Sequence, residues 1–181
     1  VSPQTRSPQS VASDPIKDRL VANRYGVSIR NGQFQGTGAQ LLKSAIAQSR
    51  FVLVGEDHGF AQTGDFWKAL CNISAPEGFH TIAIEEGPLV ATELERWARR
   101  SDGQSQLVAF QKAFPESINI YNTREEFSML QQCARTMQNE FRLWGLNQEG
   151  GIGFILSRIM ATKPDPATAS AVEQLLRKYN D

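Results

Sequence analysis

At 181 residues, with 40% apolar and 21% charged side chains, the chain has the size and composition of one globular domain able to bury a core. Nineteen basic residues balance nineteen acidic ones, which excludes the basic field of a protein that holds nucleic acid or an anionic membrane surface. No apolar run approaches the roughly 20 residues of a transmembrane helix, so no membrane span is expected.

The first 14 residues, VSPQTRSPQSVASD, are rich in Ser, Pro and Gln and offer little to bury. They are expected to form a flexible arm. A start at Val1 fits a chain from which a signal peptide has been removed, and a periplasmic or secreted location is expected on that basis, with a cytoplasmic one as the alternative. Residues 15–181 then read as a single α/β domain. Asp14-Pro15 opens a short helix, IKDRLVANRY. YGVSIRNGQFQGTG has the pattern of a β-hairpin, with Val27 and Ile29 alternating inward and Asn31-Gly32 as a favoured two-residue turn. AQLLKSAIAQ places Leu41, Leu42, Ala45 and Ile46 on one helical face.

Three apolar runs follow. FVLVG, residues 51–55, is short, continuous and β-branched, as in a strand covered on both faces. A helix comes next, with Phe66, Ala69, Leu70 and Ile73 at helical spacing. HTIAIEEG predicts a second strand over 81–85, stopped by Gly87-Pro88 before the helix LVATELERWARR. QSQLVAFQKAFPESINIYN is expected to be partly helical and to end extended at Ile118–Ile120. Thr123 and Glu126 form a capping box for a helix whose inner face carries Phe127, Leu130, Ala134 and Met137. FRLWGLN predicts the third strand over 142–146, and GIGFILSRIMAT and ATASAVEQLLRKY predict two closing helices. Alternating strands and helices imply right-handed crossovers. The expected fold is therefore α/β: a mainly parallel sheet with helices on both faces and the N-terminal β-hairpin at an edge.

In such sheets ligands bind beyond the carboxyl ends of the strands. The three ends here read Gly55-Glu56-Asp57-His58-Gly59, Ile84-Glu85-Glu86-Gly87 and Gly145-Leu146-Asn147-Gln148-Glu149. A histidine at a strand-to-helix turn commonly does no more than cap the next helix. His58, two residues after Glu56 and beside Gly59, has a carboxylate to orient its imidazole, as a general base for water requires. Glu85 is the expected partner from the second strand, because it shares parity with Ala83 while Glu86 falls where the chain turns. His58, Glu56 and Glu85 are thus the candidate catalytic residues, and Gly59, Asn147 and Gln148 candidate substrate contacts. Glu56, His58 and Glu85 could instead ligate a divalent metal ion, since carboxylate and imidazole are both competent ligands.

Other features carry less. His80 begins its strand and is expected to be structural. Gly150-Gly151-Ile152-Gly153 lacks the lysine and spacing of a phosphate loop and follows the third strand, so no nucleotide site is assigned to it. Asn72-Ile73-Ser74 matches a glycosylation sequon inside a helix and is taken as incidental. Cys71 and Cys133 are expected to be small buried packing residues, with a single disulfide open to an exported chain.

Three pieces, FVLVGEDHG, TIAIEEGP and RLWGLNQE, resemble the superfamily of erythromycin-esterase-like proteins, ChaN-like haem-uptake proteins and Tiki-type proteases. The segment Gly36–Leu42 and INIYNTREEFSML look like an uncharacterised bacterial branch of it. The resemblance spans roughly residues 25–160. It implies an α/β fold and hydrolysis of an ester or similar bond, with the roles falling on Glu56, His58 and Glu85. It also implies a domain that extends past this length, of which the chain would be the N-terminal part. One residue separates Glu56 from His58, as in the ChaN-like proteins, whereas the esterases have two. The family's hydrolases add a later histidine, and no histidine follows His80. Those departures keep a non-catalytic binder of haem or a metal ion as the alternative, with a small molecule as substrate or ligand in either case.

Overall fold

The computed structural model describes residues 15–55 and 60–180. The expected arm and Glu56–Gly59 lie outside the described residues. Pro15 opens α1 (Pro15–Ala22), none of whose residues is buried. The hairpin of β1 (Ser28–Arg30) and β2 (Gln33–Gln35) pairs Ile29 with Phe34. Its turn puts both Asn31 and Gly32 at positive φ, 52° and 70°, as a tight hairpin turn of this hand requires. Phe34 meets Phe66 of α3 edge-on at 5.1 Å, so the hairpin packs on that helix. It forms a sheet of its own, not an edge of the main one, because its half-buried residues, Ile29 and Phe34, are spent against α3.

After α2 (Thr37–Ala47) and α3 (Ala61–Ser74) comes β3 (Thr81–Ile84), then α4 (Pro88–Ala98) and α5 (Gly103–Ala113). The chain continues as α6 (Arg124–Met137), β4 (Arg142–Gly145), α7 (Ile152–Ala161) and α8 (Pro166–Asn180). The capping box forms at the start of α6: Glu126 N–H donates to Thr123 Oγ1 at 3.2 Å, and Thr123 N–H donates to Glu126 Oε2 at 3.2 Å. The cysteines are buried, as expected, and also bonded: Cys71 of α3 and Cys133 of α6 form a disulfide.

β3 and β4 are parallel, in register from Thr81 opposite Arg142 to Ile84 opposite Gly145. Ile82, Ile84 and Leu143 enter a core with Val90, Leu94 and Trp97 of α4 and Phe127 and Leu130 of α6. Arg142 N–H donates to His80 O at 2.8 Å and Leu146 N–H to Ile84 O at 3.0 Å. Strand alternation then turns the backbone groups of Leu143 outward, and Glu95 of α4 caps that N–H at 2.8 Å. Arg99, which caps the C-terminus of α4, donates to the carbonyls of Gln138 and Phe141, fixing the start of β4.

Mixed α and β structure is therefore present, but the expected sheet is not complete. Among the described residues two strands pair in the parallel sheet, not three. Residues 51–55 join no ladder, and Phe51 and Leu53 are 83% and 95% exposed. An apolar run becomes a strand only where a partner takes its N–H and C=O groups; among the described residues the ladder occupies one edge of β3. Among the described residues, helices cover one face of the sheet instead of both: Thr81, Ala83 and Arg142 are exposed, and Trp144 is 60% exposed. Ile118–Ile120 is bent, not extended, because its amides turn toward a side chain at the end of β3.

Candidate functional site

The parallel ladder brings the carboxyl ends of β3 and β4 together. Leu146 N–H still follows the ladder, and Asn147 N–H donates to Glu86 O at 3.0 Å. Glycine makes the closeness attainable: a Cβ on Gly145 would run into the carbonyls of Glu86 and Gly87.

The two neighbouring carboxylates leave β3 on opposite sides, as expected from strand parity. Glu85 is exposed, together with Thr81 and Ala83. Glu86 follows Ile82 and Ile84 inward and is only 1% exposed. Its Oε1 accepts from Asn119 N–H at 3.0 Å and Ile120 N–H at 2.9 Å. Burial pushes its carboxyl pKa up, the amides of the 119–121 turn pull against that, and the charge of Glu149 adds to the rise. Glu86 is thus an internal anchor, a role the sequence reading missed. The signal was available, since parity with Ile82 and Ile84 places residue 86 on the buried side.

Glu149 was missed as well. Its Oε1 accepts from Leu89 N–H, at the start of α4, and a Cβ on Gly87 would collide with its carboxylate. Asn147 and Gln148 are exposed beside it, and Asn147 Oδ1 accepts from Gln148 N–H at 2.9 Å. Ser117 is fully buried under the same loops, and a Cβ on Gly151 would strike it. The glycine run therefore serves close packing against 116–119.

Glu56, Asp57, His58 and Gly59 lie outside the described residues, so of the expected catalytic group only Glu85 is described. The residues flanking them, Val54, Gly55 and Phe60, line an open groove of about 820 Å³ with Val27, Ile29 and Phe66. Among the described residues, no three His, Cys, Asp or Glu side chains gather closely enough to hold a metal ion. His80 sits 3.4 Å from Glu140 at the opposite end of β3, in keeping with a structural role. Asn72 of the sequon is engaged on both sides: Nδ2 donates to Gly32 O at 2.8 Å, and Oδ1 accepts from Thr136 Oγ1 at 2.9 Å.

No helix among the described residues is long and apolar enough to cross a membrane. The chain matches no family model, no curated protein and no solved structure. The likeness to the erythromycin-esterase-like and ChaN-like superfamily therefore stands on its three sequence pieces alone.

Proposed function

We propose that this chain is a hydrolase-like α/β domain of the erythromycin-esterase-like and ChaN-like superfamily that cleaves an ester or similar bond. His58, oriented by Glu56, activates water. Glu85 holds the substrate or shares the proton, and Gly59, Asn147 and Gln148 contact the substrate. What supports this is the junction of β3 and β4, where carboxylates and amides from two strand ends collect on one rim, joined by the bond from Asn147 to Glu86.

The proposal takes residues 51–55 as a third parallel strand on the edge of β3 away from β4. The 80, 82 and 84 carbonyl parity faces β4, so the backbone groups of Ala83 face that other edge, which has no strand partner among the described residues. A right-handed crossover through α3 would lead from such a strand to β3, and strand addition there would set Glu56 and His58 beside Glu85. The buried disulfide supports an exported chain, because such bonds persist in oxidising compartments.

The test is a panel of esters and lactones, with and without chelator, on the native protein and His58→Asn. A general base must be neutral, so turnover rises with pH through the range where imidazole deprotonates, ordinarily about 6.5. His58→Asn lowers turnover on the order of a hundredfold or more. Unchanged turnover in His58→Asn would overturn the catalytic role. Loss with chelator and recovery with added divalent ion would assign Glu56, His58 and Glu85 to a metal. No turnover under any condition, with haem or a metal ion bound instead, would make this a binding protein.

A further inference from the structure

We propose that Glu149 is a positioning residue for the site: it clamps the turn after β3 and thereby sets where Glu85 stands. This rests on Glu85 being a member of the proposed site.

The start of α4 needs a partner from elsewhere. Leu89 N–H is one of the first amides of the helix, which have no acceptor within it. Gly87 precedes the helix and supplies no side-chain cap. Glu149, sixty residues later in the chain, provides the acceptor through Oε1. A carboxylate there also meets the positive end of the helix dipole.

The fit has no slack. Glu149 occupies the space that a Cβ on Gly87 would need, and Gly145 packs against the carbonyls of Glu86 and Gly87. Below the turn, Glu86 is held by the amides of Asn119 and Ile120 and by Asn147 N–H on its carbonyl. Glu85 lies between Ile84, fixed in the ladder, and a turn fixed by Glu149. Those two restraints set the side of the chain from which Glu85 projects.

The other oxygen of Glu149, Oε2, is buried and has no hydrogen-bond partner among the described residues. Its lost hydration offsets much of what the bond to Leu89 contributes to stability. Glu149 should therefore govern geometry more than folding free energy.

Amide NMR of the native chain, Glu149→Leu and Glu149→Gln tests this. In Glu149→Leu, the Leu89 amide exchanges with solvent about tenfold faster or more, and the Glu85 cross-peak moves. Glu149→Gln keeps an acceptor and restores both signals. An unmoved Glu85 cross-peak in Glu149→Leu, or equal displacement in Glu149→Gln, would overturn the clamp, as would a freely exchanging Leu89 amide in the native chain. Should Glu149→Leu not fold, Gly87→Ala asks the same question, since its methyl displaces the carboxylate: both cross-peaks must move, and static ones refute the proposal. In the ester assay, Glu149→Leu lowers kcat/KM, since a displaced Glu85 loses substrate contact or proton transfer; an unchanged kcat/KM counts against positioning. A native chain that cleaves no ester defeats the hydrolase proposal, and the amide measurements still decide the clamp.

Discussion

Residues 51–55 and 81–85 carry the same kind of sequence, an apolar run with β-branched residues followed within a few positions by glycine and carboxylates. In the second, Ile82 and Ile84 are buried, β4 supplies a ladder, α4 covers the inner face and Glu86 is bonded to a distant turn. In the first, Leu53 is 95% exposed and no ladder forms among the described residues. Composition does not separate them. The difference lies in what meets each run: a strand is stabilised by partners for its backbone and cover for one face, and among the described residues β3 has both and 51–55 has neither.

The largest effect is expected where cover is complete. Ile84→Ala removes a buried side chain from the sheet's inner face and should cost about 2–5 kcal/mol, read from urea denaturation midpoints. A cost below about 1 kcal/mol would remove the contrast between the two runs.

Next comes the link that holds the helices over that face. Cys71 and Cys133, 62 residues apart, tie α3 to α6. Replacing both by alanine should lower stability by about 2–4 kcal/mol, chiefly by freeing the unfolded chain. A reducing agent should lower the melting temperature of the native chain and leave the double variant unchanged.

Glu86 tests the end of β3. Glu86→Leu leaves the amides of Asn119 and Ile120 without an acceptor and should cost about 1–3 kcal/mol. Glu86→Gln keeps an acceptor and should cost less. The pH dependence has a definite sign. Burial raises the carboxyl pKa above its ordinary value of 4.5, so the folded state holds the proton more tightly than the unfolded one. The stability this group contributes is full below 4.5 and is lost as pH rises through the raised value. Melting temperatures across that range should fall in the native chain and flatten in Glu86→Gln; equal slopes would remove Glu86 as the cause.

Much of the local structure could be read directly. The Asn31-Gly32 turn, the capping box at Thr123 and the periodic helices follow from short-range rules that need no tertiary partner. The opposite facing of Glu85 and Glu86 follows from strand parity. Sheet completeness could not be read, because pairing depends on which edges are free, and residues 51–55 look the same paired or unpaired. The anchor at Glu86 was legible only by extending parity two residues past β3. Glu149 was not legible at all: its acceptor role depends on the bare N-terminus of α4, sixty residues away, meeting a loop that the ladder brings alongside.

The smallest effect, and the one that bears most directly on the two runs, belongs to Leu53. An exposed side chain that packs on nothing can be truncated within about 0.5 kcal/mol. If 51–55 adds to the free edge of β3, Leu53 gains cover from one neighbouring strand. The open face, where Trp144 is 60% exposed, limits that cover. Burying each methylene fully is worth about 0.8 kcal/mol, and Leu→Ala deletes three carbon atoms that would be less than half covered. Leu53→Ala is therefore expected to cost about 1 kcal/mol, above the surface range and below the cost of Ile84→Ala. Denaturant midpoints of the two variants, measured side by side, place Leu53 on this scale. A cost inside the surface range would leave 51–55 unpaired and remove the strand that is proposed to carry Glu56 and His58 to Glu85.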